Sequence, residues 1–196
     1  MTRSYRQVRR SENAEDTRRR IVEATFALHG EQGIAATTMK QIAARAGVSV
    51  GSVYHHFPTY DDAIDACGAH AFSLFPIPTE AVFEGAGSRA ERVRRLAQAM
   101  FQVFAGLNGG FQSVIADQDK LPVLKGYVAR EHAARVGLAA AAVGGDPIAA
   151  QTLAGLLDCG SFDAFARLGL SPDAAAERVA EVANAWLDTT QPEEAP

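Results

Sequence analysis

The chain has 196 residues, of which 47% are hydrophobic and 21% charged, values that are ordinary for a globular protein with one sizeable core or two small ones. Its two cysteines lie far apart in helical patterns without metal-ligand spacing, which argues against a disulfide scaffold or a zinc site and predicts free thiols in a reducing cytoplasm. Polar residues or glycine interrupt every hydrophobic run before it reaches the roughly 20 apolar residues of a membrane span, so a membrane protein is not expected.

The net charge of -4 is unevenly distributed along the chain. Up to Tyr60 there are nine Lys and Arg against five Asp and Glu, a net of +4, whereas the remainder has ten against eighteen, a net of -8. The cationic end is therefore the candidate for binding a polyanion such as nucleic acid. For any single residue, the alternative that the charge merely lies on a solvated surface stays open.

Residues 1–12 form a basic arm that we predict to be disordered in the free protein. The arm contains Arg3, Arg6, Arg9 and Arg10, and its composition does not allow a core to be buried. Arms of this kind can enter a minor groove or lie along phosphates. The alternative, a solubilising tail, is left open by the sequence.

The first helix is predicted over residues 13–32, with apolar residues at helical spacing on one face. Arg18, Arg19 and Arg20 fall in its early turns, where cations oppose the helix dipole unless a phosphate lies nearby. His29 is interpreted as a packed helix residue rather than a ligand.

A helix-turn-helix pattern occupies residues 37–57. Thr38 is suited to capping a short helix, Gly47 to the left-handed conformation at its end, and Ser49 to capping the next helix. Apolar residues at three- and four-residue spacing predict the inward faces of both helices: Met39, Ile42, Ala43, Ala46, Val53 and Phe57. Small side chains on the outward face would permit a close approach to a DNA groove.

From about Thr17 to Ile64 the sequence resembles the DNA-binding domain of TetR-family transcriptional regulators. Two positions depart from the family pattern, which usually has Phe where this chain has His29 and a phosphate-contacting Lys where it has Tyr60. A tyrosine hydroxyl can still donate a hydrogen bond to a phosphate. The matching positions are Gly33, Thr37, Thr38, Ile42, Ala43, Ala46, Gly47, Val48, Ser49, Gly51, Tyr54, Phe57 and Pro58.

The resemblance implies a ligand-responsive transcriptional regulator, a repressor, that binds a palindromic double-stranded DNA operator as a homodimer in the cytoplasm. Helix starts and polar side chains are expected to contact phosphates, at Thr37, Thr38, Lys40, Ser49, Tyr54 and Tyr60. The residues expected nearest to the bases are Val50, Gly51, Ser52 and His55.

The fold class predicted for the whole chain is all-α, with a DNA-binding domain over residues 13–58, a ligand-binding and dimerisation domain over residues 59–190 and a tail over residues 191–196. Proline and glycine residues predict a break at residues 76–87. Capping residues, prolines and glycines delimit the helices of the second domain: one capped by Thr59, then Arg89–Leu107, Phe111–Asp117, Pro122 to about Val143, Asp146–Leu168 and Ser171–Leu187.

The second domain contains more aromatic bulk than a small helical body needs, which predicts an apolar pocket for a small-molecule effector. The candidate lining residues are Phe72, Met100, Phe101, Phe104, Phe111, Tyr127, His132, Phe162 and Phe165. That the same residues simply fill a core stays open. The resemblance places the homodimer interface on the helices predicted over Asp146–Leu168 and Ser171–Leu187, whose faces suit a four-helix bundle.

Neither enzyme activity nor a cofactor is expected, because the five histidines are not arranged with acids or cysteines at metal-ligand or catalytic-triad spacing. Two functions of another class stay open. One is a ligand-binding protein without sequence-specific DNA binding, and the other is a nucleoid-type protein that binds DNA without a ligand.

Overall fold

A computed structural model describes the backbone of residues 3–190 and the side chains of residues 12–190. Within this part of the chain the fold is all-α, as predicted, and no helix there is long and apolar enough to cross a membrane. One short 3-10 helix, Glu80–Phe83, lies in the predicted break. The α-helices are α1 (Arg3–Gln32), α2 (Met39–Ala46), α3 (Val50–His56), α4 (Tyr60–Leu74), α5 (Arg89–Gly106), α6 (Gly110–Asp117), α7 (Val123–Val143), α8 (Pro147–Leu156), α9 (Cys159–Arg167) and α10 (Pro172–Thr190).

Helix α1 begins at Arg3 and not at residue 13, so the prediction of a disordered arm over residues 1–12 is wrong from Arg3 onward. No glycine or proline precedes Gly30, and the Arg, Gln and Glu residues that are frequent in this stretch favour a helix. The arginines at positions 18 to 20 therefore lie in the middle of the helix, where the argument from its dipole does not apply. The side chains of residues 1–11 and the predicted tail, residues 191–196, lie outside the described part of the chain.

The helix predicted from Asp146 to Leu168 is in fact two helices, α8 and α9. A carboxylate oxygen of Asp158 accepts hydrogen bonds from the backbone amides of Gly160 and Ser161, at 2.7 and 3.0 Å, and so caps a new helix. The apolar periodicity continues through this point, which is why the sequence pattern did not indicate the break.

Arg135 of α7 contacts the end of α8 and forms a buried ion pair within its own helix. Arg135 and Glu131 are both almost fully buried, with Arg135 Nε 2.6 Å from Glu131 Oε1. The guanidinium of Arg135 also donates to the backbone carbonyl of Ala154. In a continuous helix that carbonyl would accept from the amide of residue 158, so Arg135 takes the bond that the break leaves open, at the helix end that favours a cation.

Among the residues whose side chains the structure describes, the buried apolar ones pack into three clusters. The first unites α1, α2 and α3, hereafter the N-terminal domain, with the start of α4. The largest cluster fills α5 to α10, hereafter the body, where α10 packs along α5 and α8 along α7. The third is small and joins Ile34 from the loop between α1 and α2, Ile64 from α4 and Leu124 from α7. The N-terminal domain and the body therefore meet through a shared apolar contact.

The buried ion pair allows a test of the break between α8 and α9. Arg135→Met leaves a buried carboxylate at Glu131 and an unpaired carbonyl, and we expect it to lower the free energy of unfolding by about 3 to 5 kcal/mol in urea titrations. Arg167→Met, which removes the exposed ion pair with Asp163, should cost at most about 1 kcal/mol. Equal losses in the two variants would contradict this role for Arg135.

Candidate functional site

The turn between α2 and α3 has the capped geometry that the sequence predicts. Gly47 ends α2 in the left-handed region, with φ 65°, and the amide of Val48 donates back to the carbonyl of Ala43 at 3.0 Å. The hydroxyl of Ser49 then accepts from the amide of Ser52 at 3.0 Å and caps α3. These bonds fix the angle between the two helices, because both helix ends are satisfied within the turn itself.

Eight of the ten predicted DNA-contacting residues lie on the outer face of this unit. Val50 and Tyr54, four residues apart and therefore on one side of α3, are 38% and 50% exposed. Thr38 remains exposed while it caps α2 in a reciprocal bond with Gln41. The others on this face are Lys40, Ser49, Gly51, Ser52 and His55. Ser52 is half-buried and the other four are exposed.

Two predicted contact residues turn inward instead, and we correct their assignment. Thr37 is 4% exposed, and its hydroxyl donates to the carbonyl of Gly33 at 2.8 Å. Tyr60 is half-buried, and its hydroxyl donates to the carbonyl of Ile34 at 2.6 Å. Because both hydroxyls already have partners inside the protein, neither is placed to bind a phosphate.

The central arginines of α1 also have partners within the protein. The guanidinium of Arg18 lies 5.1 Å from the centre of the Phe57 ring. Arg20 donates to the carbonyl of Gly47 at 3.3 Å and so supports the end of α2, while Arg19 pairs with acids on its own helix. These contacts account for the positions of the three arginines, so a bound phosphate is not needed to explain them.

A chain of hydrogen bonds runs beneath this unit, from His29 through Tyr60 to Ile34. The single hydroxyl proton of Tyr60 is donated to the carbonyl of Ile34, which can only accept. His29 Nε2, 2.9 Å from the Tyr60 oxygen, must therefore carry the proton, which leaves Nδ1 as the acceptor nitrogen. The nearest partner of Nδ1 is the Cys67 sulfur at 3.5 Å, a weak donor.

Asp117, at the end of α6, holds the same loop from the body. Its Oδ2 atom accepts from the amides of Ile34 and Ala35, at 3.1 and 2.8 Å, and its Oδ1 atom lies 3.0 Å from Lys120 Nζ. The Ala35 hydrogen bond is the main cause that lowers the pKa of Asp117 below its usual value, so the carboxylate stays ionised. The loop that leads into α2 is thus attached to both α4 and α6.

A cavity of about 60 Å³ lies between these hydrogen bonds and the body. Helices α1, α4, α6 and α7 contribute to its walls, as do the loop after α1 and the end of α5. Three lining residues carry polar side-chain atoms, namely His29, Cys67 and Tyr127. The others are Phe26, Ile34, Ile64, Gly68, Ala71, Phe72, Leu107, Gly110, Phe111, Val114 and Leu124.

Tyr127 forms the wall between α4 and α7. Its ring lies over Gly68, where a Cβ atom would come within 2.6 Å of the ring, so glycine permits this approach. The hydroxyl donates to Asp65 Oδ1 at 2.8 Å, and Phe72 stacks beside the ring. Both neighbours keep the ring in place across the cavity.

Only three of the predicted ligand-binding residues line this cavity: Phe72, Phe111 and Tyr127. Four others are buried in the core of the body: Met100, Phe101, Phe104 and Phe162. These four residues fill the core, which is the alternative that the sequence left open. Phe165 is half-buried against that core, and His132 is exposed, near Arg135.

The cavity also contains residues that sequence reasoning did not assign to it. Phe26, His29 and Ile34 come from the N-terminal domain, whereas the predicted lining came from the body alone. The sequence feature that indicated this site was His29, a polar residue at a position where TetR-family regulators usually have Phe. A buried polar residue in an apolar stripe indicates a hydrogen-bond network or a binding site.

Burial keeps the polar lining residues uncharged at neutral pH. It lowers the pKa of His29 to about 4, against a smaller opposing effect of the Asp117 charge. It raises the pKa of the Cys67 thiol to about 12 and, together with the Asp65 hydrogen bond, that of Tyr127 to about 12. The cavity therefore presents an apolar surface with neutral hydrogen-bonding groups.

Comparison with known proteins associates these features with bacterial regulators. Residues 21–67 match the family model described as bacterial regulatory proteins, tetR family. The chain is 48% identical over 44 residues to the HTH-type transcriptional regulator SrpR of Pseudomonas putida, which is 22% of this chain and 21% of that protein. It is 40% identical over 45 residues to the HTH-type transcriptional repressor KstR2 of Mycobacterium tuberculosis H37Rv, 23% of this chain and 22% of that protein.

These matches span only about a fifth of the length of the curated relatives, whereas the similarity of fold covers most of the chain. A TetR-like transcriptional regulator from Rhodococcus sp. RHA1 superposes with a TM-score of 0.72 over 89% of this chain and 96% of that one, at 18% identity. The body thus shares its architecture with known regulators without sharing their sequence.

The burial of His29 predicts a specific dependence of stability on pH. Its pKa is lowered from 6.5 to about 4 by folding, so between these values the unfolded chain binds a proton that the folded protein does not. The contribution of His29 to stability should therefore fall as the pH falls through this window, by about 2 kcal/mol between pH 6.5 and 5.

The measurement compares urea unfolding of the protein and of a His29→Gln variant at pH 7 and pH 5. Carboxylates that titrate in both proteins cancel in the difference, so the stability advantage of His29 over Gln should shrink at pH 5. An advantage that is the same at both values would contradict a buried neutral histidine.

Proposed function

The chain belongs to the TetR family of bacterial regulatory proteins, and from that premise we propose that it is a cytoplasmic repressor that binds a palindromic operator as a homodimer and is released by a small ligand. The observation that carries this proposal is the outer face of α3, exposed and held by caps at both ends of the turn before it. The name of KstR2, a transcriptional repressor, supports the direction of regulation.

Phosphates and bases are contacted by different residues in this proposal. Ser49, at the start of α3, binds a phosphate with side chain and backbone amide, and Lys40 and Tyr54 add further contacts. Thr38, exposed at the start of α2, exchanges its bonds to the Gln41 side chain for a phosphate. The second set faces the bases in the major groove: Val50, Gly51, Ser52 and His55.

Base recognition by α3 cannot use the most common specific contact, because no arginine or lysine lies between Val50 and His56. Specificity then rests on contact of Val50 with a thymine methyl group, on hydrogen bonds from Ser52 or His55, and on the shape of the groove. Each of these contacts discriminates only slightly between bases, so a single α3 helix of seven residues would have low sequence specificity.

Two copies of α3, related by a twofold axis and about 34 to 36 Å apart, would read one half-site each and supply the missing selectivity. The proposed interface lies on α8 and α10. Ile148 on α8 and Val182 on α10 are 74% and 59% exposed, and Leu156 of α8 and Trp186 of α10 are half-buried. Exposed apolar residues on the outer sides of two adjacent helices suit a four-helix bundle with a second copy.

The first experiment selects bound sequences from a random oligonucleotide pool. We expect a palindrome whose half-sites are one helical turn apart. Failure to select any sequence would favour a ligand-binding protein without sequence-specific DNA binding, and binding without preference would favour a nucleoid-type protein.

Single substitutions on α3 test the division between phosphate and base contacts. Tyr54→Ala should weaken binding to all sequences about tenfold, because it removes one hydrogen bond to a charged phosphate. Ser52→Ala should instead change the preferred base at one position of each half-site. A changed base preference with Tyr54→Ala would show that the residues are assigned the wrong way round.

The dimer is tested by sedimentation at micromolar concentration, where we expect two copies of the chain. Val182→Glu places a charge at the proposed interface and should yield monomers with weakened operator binding. Leu74→Glu alters a comparably exposed apolar residue at the end of α4 and should leave the dimer intact. A monomeric unsubstituted protein would refute the proposed dimer.

A further inference from the structure

We propose that the effector site is the cavity between the N-terminal domain and the body, and that it takes a small uncharged aromatic or alicyclic molecule with one hydroxyl group. This inference rests on the function proposed above. It places the effector against α1 and the loop after it, and not within the aromatic core of the body.

The walls of the cavity belong to the two parts whose relative position a ligand must change. Phe26 and His29 of α1 and Ile34 of the following loop come from the N-terminal domain, and Leu124 and Tyr127 of α7 come from the body. A molecule in this space touches the N-terminal domain directly. No intermediate element is needed to transmit its presence.

Because the cavity is small, a ligand can bind there only if the surrounding helices move. Its volume of about 60 Å³ is well below the about 150 Å³ of a protein cavity that accommodates benzene, and far below the roughly 300 to 1,000 Å³ of ordinary ligand sites. A ring-sized molecule can enter only if the walls separate. Such a ligand binds the separated state better than the closed one, which is the condition for shifting an equilibrium between them.

The lining excludes charged ligands. None of its residues, all of which lie in the described part of the chain, carries a formal charge at neutral pH, and most are aliphatic or aromatic. A carboxylate or an ammonium group would lose its hydration there without gaining a partner of opposite charge, which is strongly unfavourable.

One atom in the cavity wall, His29 Nδ1, is a hydrogen-bond acceptor that has a weak donor beside it. The Nδ1 atom of His29 is an acceptor whose nearest partner is the Cys67 thiol, and both side chains line the cavity. A hydroxyl group is a better donor than a thiol, so a ligand hydroxyl can replace the weak contact. The fixed protonation of Nε2, bonded to Tyr60, keeps Nδ1 available for this bond.

The same residues connect the cavity to the recognition unit. Ile34 lines the cavity with its side chain, while its amide bonds to Asp117 and its carbonyl to Tyr60. Separation of the walls therefore displaces the loop that leads directly into α2. Because α2 and α3 are fixed to each other by the capped turn, the displacement moves the recognition helix as well.

Three probes of similar size test the ligand class by calorimetry with the full chain. p-Cresol carries the hydroxyl, p-xylene replaces it with a methyl group and p-toluate replaces it with a carboxylate. We expect p-cresol to bind about tenfold more tightly than p-xylene, and p-toluate to show no measurable binding. Binding of p-toluate, or equal binding of p-cresol and p-xylene, would overturn the proposed class.

Matched variants test the location. Ala71→Leu adds three carbon atoms to the cavity wall and should abolish binding of p-cresol, whereas Ala105→Leu, in an open groove between α5 and α9, should leave it unchanged. His29→Phe should remove the preference for p-cresol over p-xylene while both still bind. If Ala71→Leu fails to fold, loss of that preference in His29→Phe decides the question alone, and a preference that persists refutes the site.

The coupling is measured by titrating p-cresol against the selected operator complex. Operator affinity should fall about 5- to 150-fold at saturation, and Ala71→Leu should be insensitive to p-cresol. If no operator can be selected, the proposed function fails while the calorimetry still tests the cavity. If an operator is selected but p-cresol leaves its affinity unchanged, this inference fails and the proposed function stands.

Discussion

The backbone of the loop between α1 and α2 depends on hydrogen bonds from outside its own domain. The buried amide of Ile34 and that of Ala35 have their acceptor in Asp117 of the body. The carbonyl of Ile34, which accepts from the Thr37 amide within the loop, has a second donor in Tyr60 of α4. A buried backbone group without a partner costs about 1 to 3 kcal/mol, so the N-terminal domain is held to the body by a sizeable and directional set of bonds. The position of α2 and α3 follows from this attachment.

The parts of the fold that could be predicted from sequence are those that local chemistry decides. Thr38, Gly47 and Ser49 act within a few residues of themselves, as caps or as a left-handed turn residue, so their identity and spacing were sufficient. The helical periodicity of the body was equally local. The outward face of α3 could be predicted because the apolar spacing had already assigned the inward face.

What could not be predicted depends on contacts between distant segments. The break at Asp158 competes with an unbroken apolar period and is supported by Arg135 from another helix, whose contact cannot be read from spacing. The aromatic residues of α5 looked available for a ligand, but Phe111 of α6 and Phe162 of α9 pack against them in the core. The cavity is likewise assembled from residues as far apart in the chain as Phe26 and Tyr127.

Gly68 gives this arrangement a genetic consequence. A Cβ atom there would come within 2.6 Å of the Tyr127 ring, which Asp65 and Phe72 keep in place, so either the ring or the spacing of α4 and α7 would have to change. Within the proposed mechanism, a substitution that moves the two helices apart acts as a wedge built into the chain and mimics a permanently bound effector. Every glycine codon is one base change from an alanine codon, so loss of repression is a single inherited step away while the DNA-contacting surface remains unaltered.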